Sequence, residues 1–305
     1  MDNLTHSLAG LALARTGLSK ATRGATGALV VASNLPDVDV LFGLASSAAY
    51  LEHHRGLTHG VLGGPALAVL LALGFRLALR GSRFLPLLLC SSLGIAGHVF
   101  MDLWTTYGTR ALHPLDETWY AWDLVFIVDP WVLALLLGSV LAPRRAPGGH
   151  RFATVGLGLL LAYIGGRAVL HARALDEAVA RVPGGAVRRA AVLPSPIDPF
   201  RWRVLADTGG AYWTGELSLR GSSPPLRRRE KAPETPLVAR IRAESEVAAV
   251  FLAFSPFPWL EIEETSEGTA VTWRDLRFER GTVPRFVTRV VIAPDGRIRS
   301  QAFHF

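Results

Sequence analysis

The sequence predicts a mostly α protein: a polytopic membrane helical bundle of about six segments over residues 1–175, then a small α+β domain outside the membrane over residues 180–305. Three observations predict it. Half of the 305 residues are hydrophobic and mean hydropathy is +0.30. Charge is divided unevenly, with 22 Lys, Arg, Asp and Glu in residues 1–175 against 35 in the shorter remainder. After Pro183-Gly184-Gly185 the long apolar runs give way to short ones rich in Val, Thr and aromatics, the composition of strands.

Four runs, 61–79, 84–104, 125–142 and 152–171, are each close to the roughly 20 residues that cross a bilayer as a helix. Residues 4–18 are apolar but short, which suits a full span, a re-entrant segment or an interfacial one. Residues 24–45 contain Pro36 between Asn34 and Asp37 and are expected to break there. Arginines in short loops set direction, because cytoplasmic loops are enriched in Lys and Arg. Arg15, Lys20 and Arg23 mark one basic turn, Arg76, Arg80 and Arg83 a second, and Arg144, Arg145 and Arg151 a third. An alternating path through these turns leaves residues 46–60, residues 105–124 and the C-terminal domain on the outer side.

In the C-terminal part, VRRAAVL, RWRVLAD, AYWTGELSL, TAVTWRDLRF, RFVTRVVIA and RIRSQAF read as strands. Ala293-Pro294-Asp295-Gly296 reads as a hairpin turn, and residues 236–252 as one amphipathic helix. Trp202 and Trp213 are expected in its core. Trp104, Trp119, Trp122 and Trp131 read as interfacial anchors. The net charge of +7 does not point to nucleic acid: only Arg227–Arg229 with Lys231 cluster, beside Pro224 and Pro225, as a solvated loop would. Cys90 is the sole cysteine, which excludes a disulfide within the chain and a cysteine-based zinc site. The start, MDNLTHSLAG, lacks a basic n-region and does not read as a cleavable signal peptide.

Eight of nine histidines lie in the apolar part. Ionisable residues inside a membrane are costly and mark function by default. They gather in LTHS with His6, SNLPDVD with Asp37 and Asp39, HHRGLTH with His53, His54 and His59, and GHVFMD with His98 and Asp102. His98 and Asp102 are four apart and share a helix face. The predicted path brings all four stretches to the outer side. Imidazoles and carboxylates together suit a divalent cation, zinc first, with manganese or iron as alternatives, as one ion or two. Such an ion acidifies water and polarises a phosphoryl or carbonyl oxygen. Asp37 or Asp102 can serve as ligand or as general base. Arg55 and Arg110, at the same level, are forks suited to a phosphate or carboxylate. His53 and His54 are adjacent and cannot both face one ion.

MDNLTHSLAGLALAR, ASNLPDVD, HHRGLTHG, GHVFMDLWTTYGTRALHPLD and FIVDPW resemble the YdjM-like family of bacterial and archaeal membrane proteins, described as metal-dependent hydrolases. PSPIDPFRWRV and FSPFPW extend the likeness thinly into the C-terminal part. The resemblance implies an integral inner-membrane protein and assigns metal-ligand roles to His6, Asp37, Asp39, His54, His59, His98 and Asp102. It supplies no substrate. Location at the outer face favours a membrane lipid or a lipid-linked or amphipathic phosphoester, and the C-terminal domain can cap the site or bind a protein partner. The competing readings are a non-enzymatic metal-binding scaffold or transporter-like protein, and a His98/Asp102 proton relay.

Overall fold

The computed structural model describes residues 1–141, 149–184, 186–279 and 286–304. The basic turn at Arg144 and Arg145 lies outside these residues. The described chain divides into two compact units. One holds Met1–Asp39, Arg55–Arg173 and Pro194–Trp202; the other holds Val40–His54, Ala174–Leu193 and Arg203–Phe305.

The first unit is helical. Helix α1 (Asn3–Arg15) starts at Asp2, whose carboxylate accepts from the Thr5 amide at 3.0 Å, the usual relief for a free N-terminal donor. Helix α2 (Ala25–Ala32) ends before Asn34-Leu35-Pro36, and a 3-10 run, Leu35–Leu44, continues at a 44° bend. The expected break at Pro36 is therefore present. Helix α3 (Ser47–His53) follows and packs within the second unit, on the C-terminal helix and strand described below.

Helix α4 (Gly63–Ala78), helix α5 (Phe84–Leu103), helix α6 (Pro130–Leu141) and helix α7 (Gly149–Ala180) complete the helical set. Among the described residues, only α5 and α7 are long and apolar enough to cross a membrane, and α2 with its 3-10 continuation makes a third if the bent pair counts as one. The expectation of about six segments is corrected to two or three. Helix length is the reason. At about 1.5 Å per residue, the 16 residues of α4 and the 12 of α6 reach roughly 24 and 18 Å, short of a hydrocarbon layer of about 30 Å. The 125–142 run does not begin as helix at residue 125; Asp129 caps α6 by accepting from the amides of Trp131 and Val132, so the helix starts at Pro130.

Burial in α5 follows one stripe: Leu87, Cys90, Ser91, Gly94, Ile95, His98, Met101 and Asp102. Leu85, Leu89 and Leu93 point outward. The polar side chains face the protein and the leucines face out, the inverse of a soluble helix. Gly94 permits a close crossing with α2, since an added Cβ would lie 2.5 Å from the Ala32 Cβ and 2.9 Å from the Leu29 carbonyl oxygen. Trp104 departs from its expected role as an interfacial anchor: it is 1% exposed and packs in the core with Met101, Leu124 and Val125.

The second unit is α/β with two four-stranded sheets. The first has the order β1 (Arg189–Pro194), β2 (Arg201–Asp207), β3 (Ala211–Ser218), β4 (Arg227–Glu230). The second is an antiparallel meander of β5 (Pro258–Thr265), β6 (Gly268–Asp275), β7 (Val287–Ile292) and β8 (Ile298–His304). Helices α8 (Pro236–Glu244) and α9 (Glu246–Phe254) precede it, and α3 packs on α9 and β8. Two corrections concern this unit. The Arg227–Arg229 run is an edge strand paired with β3, where Arg229 meets Glu279, rather than a loop. The single helix expected over 236–252 is two, because Ser245 ends α8 and caps α9 through the Ala248 amide at 3.2 Å. Trp202 is fully buried, but under Arg167 in the first unit rather than in the core of the C-terminal domain, and Trp213 is half-buried rather than a core residue.

Candidate metal centre

Three elements and one loop of the first unit bring the donors together. His6 lies on the buried face of α1, Asp37 and Asp39 open the 3-10 run, His59 ends the HRGLTH loop, and His98 and Asp102 share the inner face of α5. The imidazoles of His6 and His98 stack with centroids 3.8 Å apart.

Four of these residues converge. His59 Nε2 lies 3.1 Å from His98 Nε2, 3.4 Å from Asp102 Oδ2 and 3.7 Å from Asp37 Oδ1. His98 Nε2 lies 3.4 Å from Asp102 Oδ2 and 3.5 Å from Asp37 Oδ1. Four ligands placed tetrahedrally at about 2.0–2.1 Å from zinc would stand about 3.3–3.4 Å from one another. The five spacings bracket that value.

Hydrogen bonding sets which ring atoms point inward. His98 Nδ1 donates to the Ser33 carbonyl oxygen at 2.8 Å, leaving the Nε2 lone pair toward the group in a neutral ring. On the other ring, Thr58 Oγ1 donates to Asp39 Oδ2 at 2.8 Å, so its lone pair accepts from His59 Nδ1 at 3.0 Å. His59 Nε2 is thus also an electron-pair donor in its neutral form. Asp102 Oδ2 is buried and accepts no hydrogen bond among the described residues. Two imidazole lone pairs and two carboxylate oxygens converge, an arrangement that repels itself and that a shared cation stabilises. The buried His/Asp cluster can hold a metal ion.

Around it lies an orienting layer. Asp39 Oδ2 accepts from the Arg55 amide at 2.8 Å and from Thr58, and stands 3.4 Å from His59 Nδ1. Asp102 Oδ1 faces Arg55 Nη2 at 3.1 Å and His6 Nε2 at 3.3 Å, and meets the Met1 nitrogen. Arg55 is 3% exposed, has a positive φ of 57°, and its Nη1 donates to Thr105 Oγ1 and the Gly108 carbonyl oxygen. A non-glycine residue in that conformation is held there by its surroundings.

Arg110 and His53 stand apart from the four converging donors. Arg110 pairs with Glu117 at 3.0 Å and lies over the Trp119 ring. The His113 ring, with Arg110 beside it, holds the Glu117 carboxyl below the usual carboxylate range. His54 is buried against Tyr50 in the second unit, one residue before Arg55, and His53 is exposed beside Phe42. Asp116 accepts from Thr118 and Tyr120 within its own loop. Thr58 and the Ser33 carbonyl oxygen were not singled out by the sequence. Thr58 sits inside HRGLTH and was legible there, whereas a backbone oxygen carries no sequence signal.

Residues 1–174 match the family model described as YdjM inner membrane protein. The chain belongs to the YdjM family. The helical unit is thus that of an inner-membrane protein family, and the resemblance read from the sequence holds. Residues 236–305, which contain α8, α9 and the second sheet, match the YfhP C-terminal alpha/beta plait domain. Over nearly its whole length this YdjM family member is similar to the uncharacterized protein YfhP of Bacillus subtilis (strain 168), at 29% identity over 313 residues, covering 98% of this chain and 94% of the relative. No solved structure matches.

Proposed function

We propose that this protein is a membrane-embedded, metal-dependent hydrolase whose site lies near the outer membrane face and whose substrate is a lipid-linked or amphipathic phosphoester. The observation that carries the proposal is the convergence of His59 Nε2, His98 Nε2, Asp37 Oδ1 and Asp102 Oδ2, with the five separations given above between 3.1 and 3.7 Å. Two neutral imidazoles and two carboxylates suit zinc, with manganese or iron tolerated by the same donors. A single ion held there would supply an acidified water and a Lewis acid for a phosphoryl oxygen once Asp37 yields its place or the ion takes a fifth ligand.

The chain's own residues then take distinct roles. His59 and His98 present Nε2, each held in that tautomer through Nδ1. Asp39 orients His59 through Thr58, whose hydroxyl it holds and whose oxygen accepts the Nδ1 proton, and through its charge 3.4 Å from Nδ1. Arg55 neutralises and fixes Asp102, so it acts as a positioning residue. Asp37, the least enclosed of the four, is the group best placed to meet a substrate or move a proton. His6 stacks on His98 and confines its ring.

The test is elemental analysis of detergent-purified protein beside a His98→Ala/Asp102→Ala variant, followed by incubation with phospholipids and isoprenoid phosphates. About one metal per chain, absent from a still-folded variant, with a chelator-sensitive product from at least one lipid, is the expected result. Bound metal with no product from any of them turns the assignment to a metal-binding scaffold or transporter-like protein.

A further inference from the structure

The four converging donors are unequally enclosed. The side chains of His59, His98 and Asp102 have no exposed surface, while that of Asp37 is 12% exposed. A molecule arriving from outside therefore meets Asp37 first. Asp37 lines an open groove of about 430 Å³ whose other lining residues are Asn3, Val30, Val31, Asn34, Leu35 and Val38. The groove sits at the 44° bend between α2 and the 3-10 run, two pieces that together have the composition of one membrane span. Its walls are open apolar side chains: Val31 is 43% and Val38 42% exposed, and Leu4, next to Asn3, is 61% exposed. The Asn34 carboxamide is fixed beside Asp37, donating to Ser7 Oγ at 3.0 Å and to the Val30 carbonyl oxygen at 2.9 Å.

We infer that this groove is the binding subsite for the alkyl chain of an amphipathic substrate, which enters sideways from the lipid and presents its polar head to Asp37. The head-group half of the inference rests on the hydrolase reading; the alkyl subsite does not. The reasoning is one of matched surfaces. The way to the cluster passes Asp37, and the wall on that way is Val and Leu. A small hydrophilic molecule loses hydration along such a wall, whereas an alkyl chain arriving from the lipid lies against it with no polar group to desolvate. A chain lying there has its head end at the only donor of the four that is open.

The test uses the full chain in phosphatidylcholine/phosphatidylglycerol vesicles with a hexadecyl phosphate carrying a photoactivatable diazirine on its chain. After irradiation, digestion and mass spectrometry, label on residues 30–38 is expected to exceed that on the outward leucines Leu85 and Leu89 of α5, and unlabelled hexadecyl phosphate is expected to compete it away. Val31→Trp, and separately Val38→Trp, fill the groove; each is expected to lower the label several-fold by occupying the space the chain would take, with bound metal unchanged. Equal labelling of α5, absence of competition, or full labelling of metal-replete Trp variants overturns the inference. So does a chain-to-chain cross-link through residues 30–38 in place of lipid label, which would mean that a second copy covers the groove. His59→Ala separates the two readings: it removes a metal donor but leaves the walls intact, so groove labelling persists in it even if no turnover is ever found.

Discussion

Asp39→Asn is the substitution that best separates a ligand from an orienting group. Asp39 Oδ2 is held by the Arg55 amide at 2.8 Å and by Thr58 Oγ1 at 2.8 Å, and it stands 3.4 Å from His59 Nδ1. The amide keeps the volume and can still accept from the backbone, but it loses the charge that makes His59 a stronger donor through its far nitrogen. Removing such a carboxylate behind a ligating histidine weakens metal affinity by about 10–100-fold, or about 1.4–2.7 kcal/mol. Stoichiometry at saturating metal stays unchanged, because none of the four converging atoms has been removed. Competition titration against a chromophoric zinc chelator, in detergent, reads both quantities. His98→Ala, which deletes one of the four atoms, is expected to weaken binding further than Asp39→Asn. An Asp39→Asn protein that binds as tightly as wild type would refute the orienting role. One that fails to load at any metal concentration would make Asp39 a direct ligand and overturn the four-residue assignment.

Four further outcomes are expected. Stripping metal with a chelator lowers the thermal unfolding temperature in detergent, and zinc at about 100 times its dissociation constant restores about 2.7 kcal/mol; a melting curve indifferent to both would count against a metal bound by the folded state. Gly94→Val drives side-chain atoms into Ala32 and the Leu29 carbonyl, and is expected to cost about 1–3 kcal/mol by overpacking and to lower bound metal, as thermal unfolding and elemental analysis would register. Arg55→Lys keeps the charge but loses the fork that reaches Asp102, Thr105 and Gly108; weaker metal binding without gross unfolding is the expected outcome, read by the same titration. Ser245→Ala removes the α9 cap and its bond to Gln301 at 2.7 Å, at about 1 kcal/mol, visible as earlier proteolysis of the C-terminal domain with metal content untouched.

Much of the site could be read before the fold was known. His98 and Asp102 are four apart in an apolar run, so helical geometry alone places them on one face, and α5 does so. The break at Pro36 could be read for the same local reason. The span count could not. Hydropathy over 61–79 and 125–142 registers apolar composition, but a crossing also needs an unbroken helix, and both runs lose residues to turns and to the Asp129 cap. Strand β4 was hidden because three successive arginines look solvated, although an edge strand leaves room for charged side chains. The break at Ser245 was hidden because one serine in an apolar-periodic stretch is compatible with a continuous helix.

By itself the sequence determined a membrane-embedded helical part with histidines and aspartates in four short motifs, and an α/β part after it. Those follow from local composition and from periods of a few residues. Which donors meet was decided only by the tertiary structure. His59 and His98 are 39 residues apart, and their convergence with Asp37 depends on the close crossing of α2 and α5 at Gly94 and on the left-handed turn at Arg55. The same packing turned Arg55 inward onto Asp102 and put Asp39 behind His59. Spacing along a chain sets which side of one helix a residue occupies; the angle and distance between helices, on which a metal centre depends, come from packing across the whole unit.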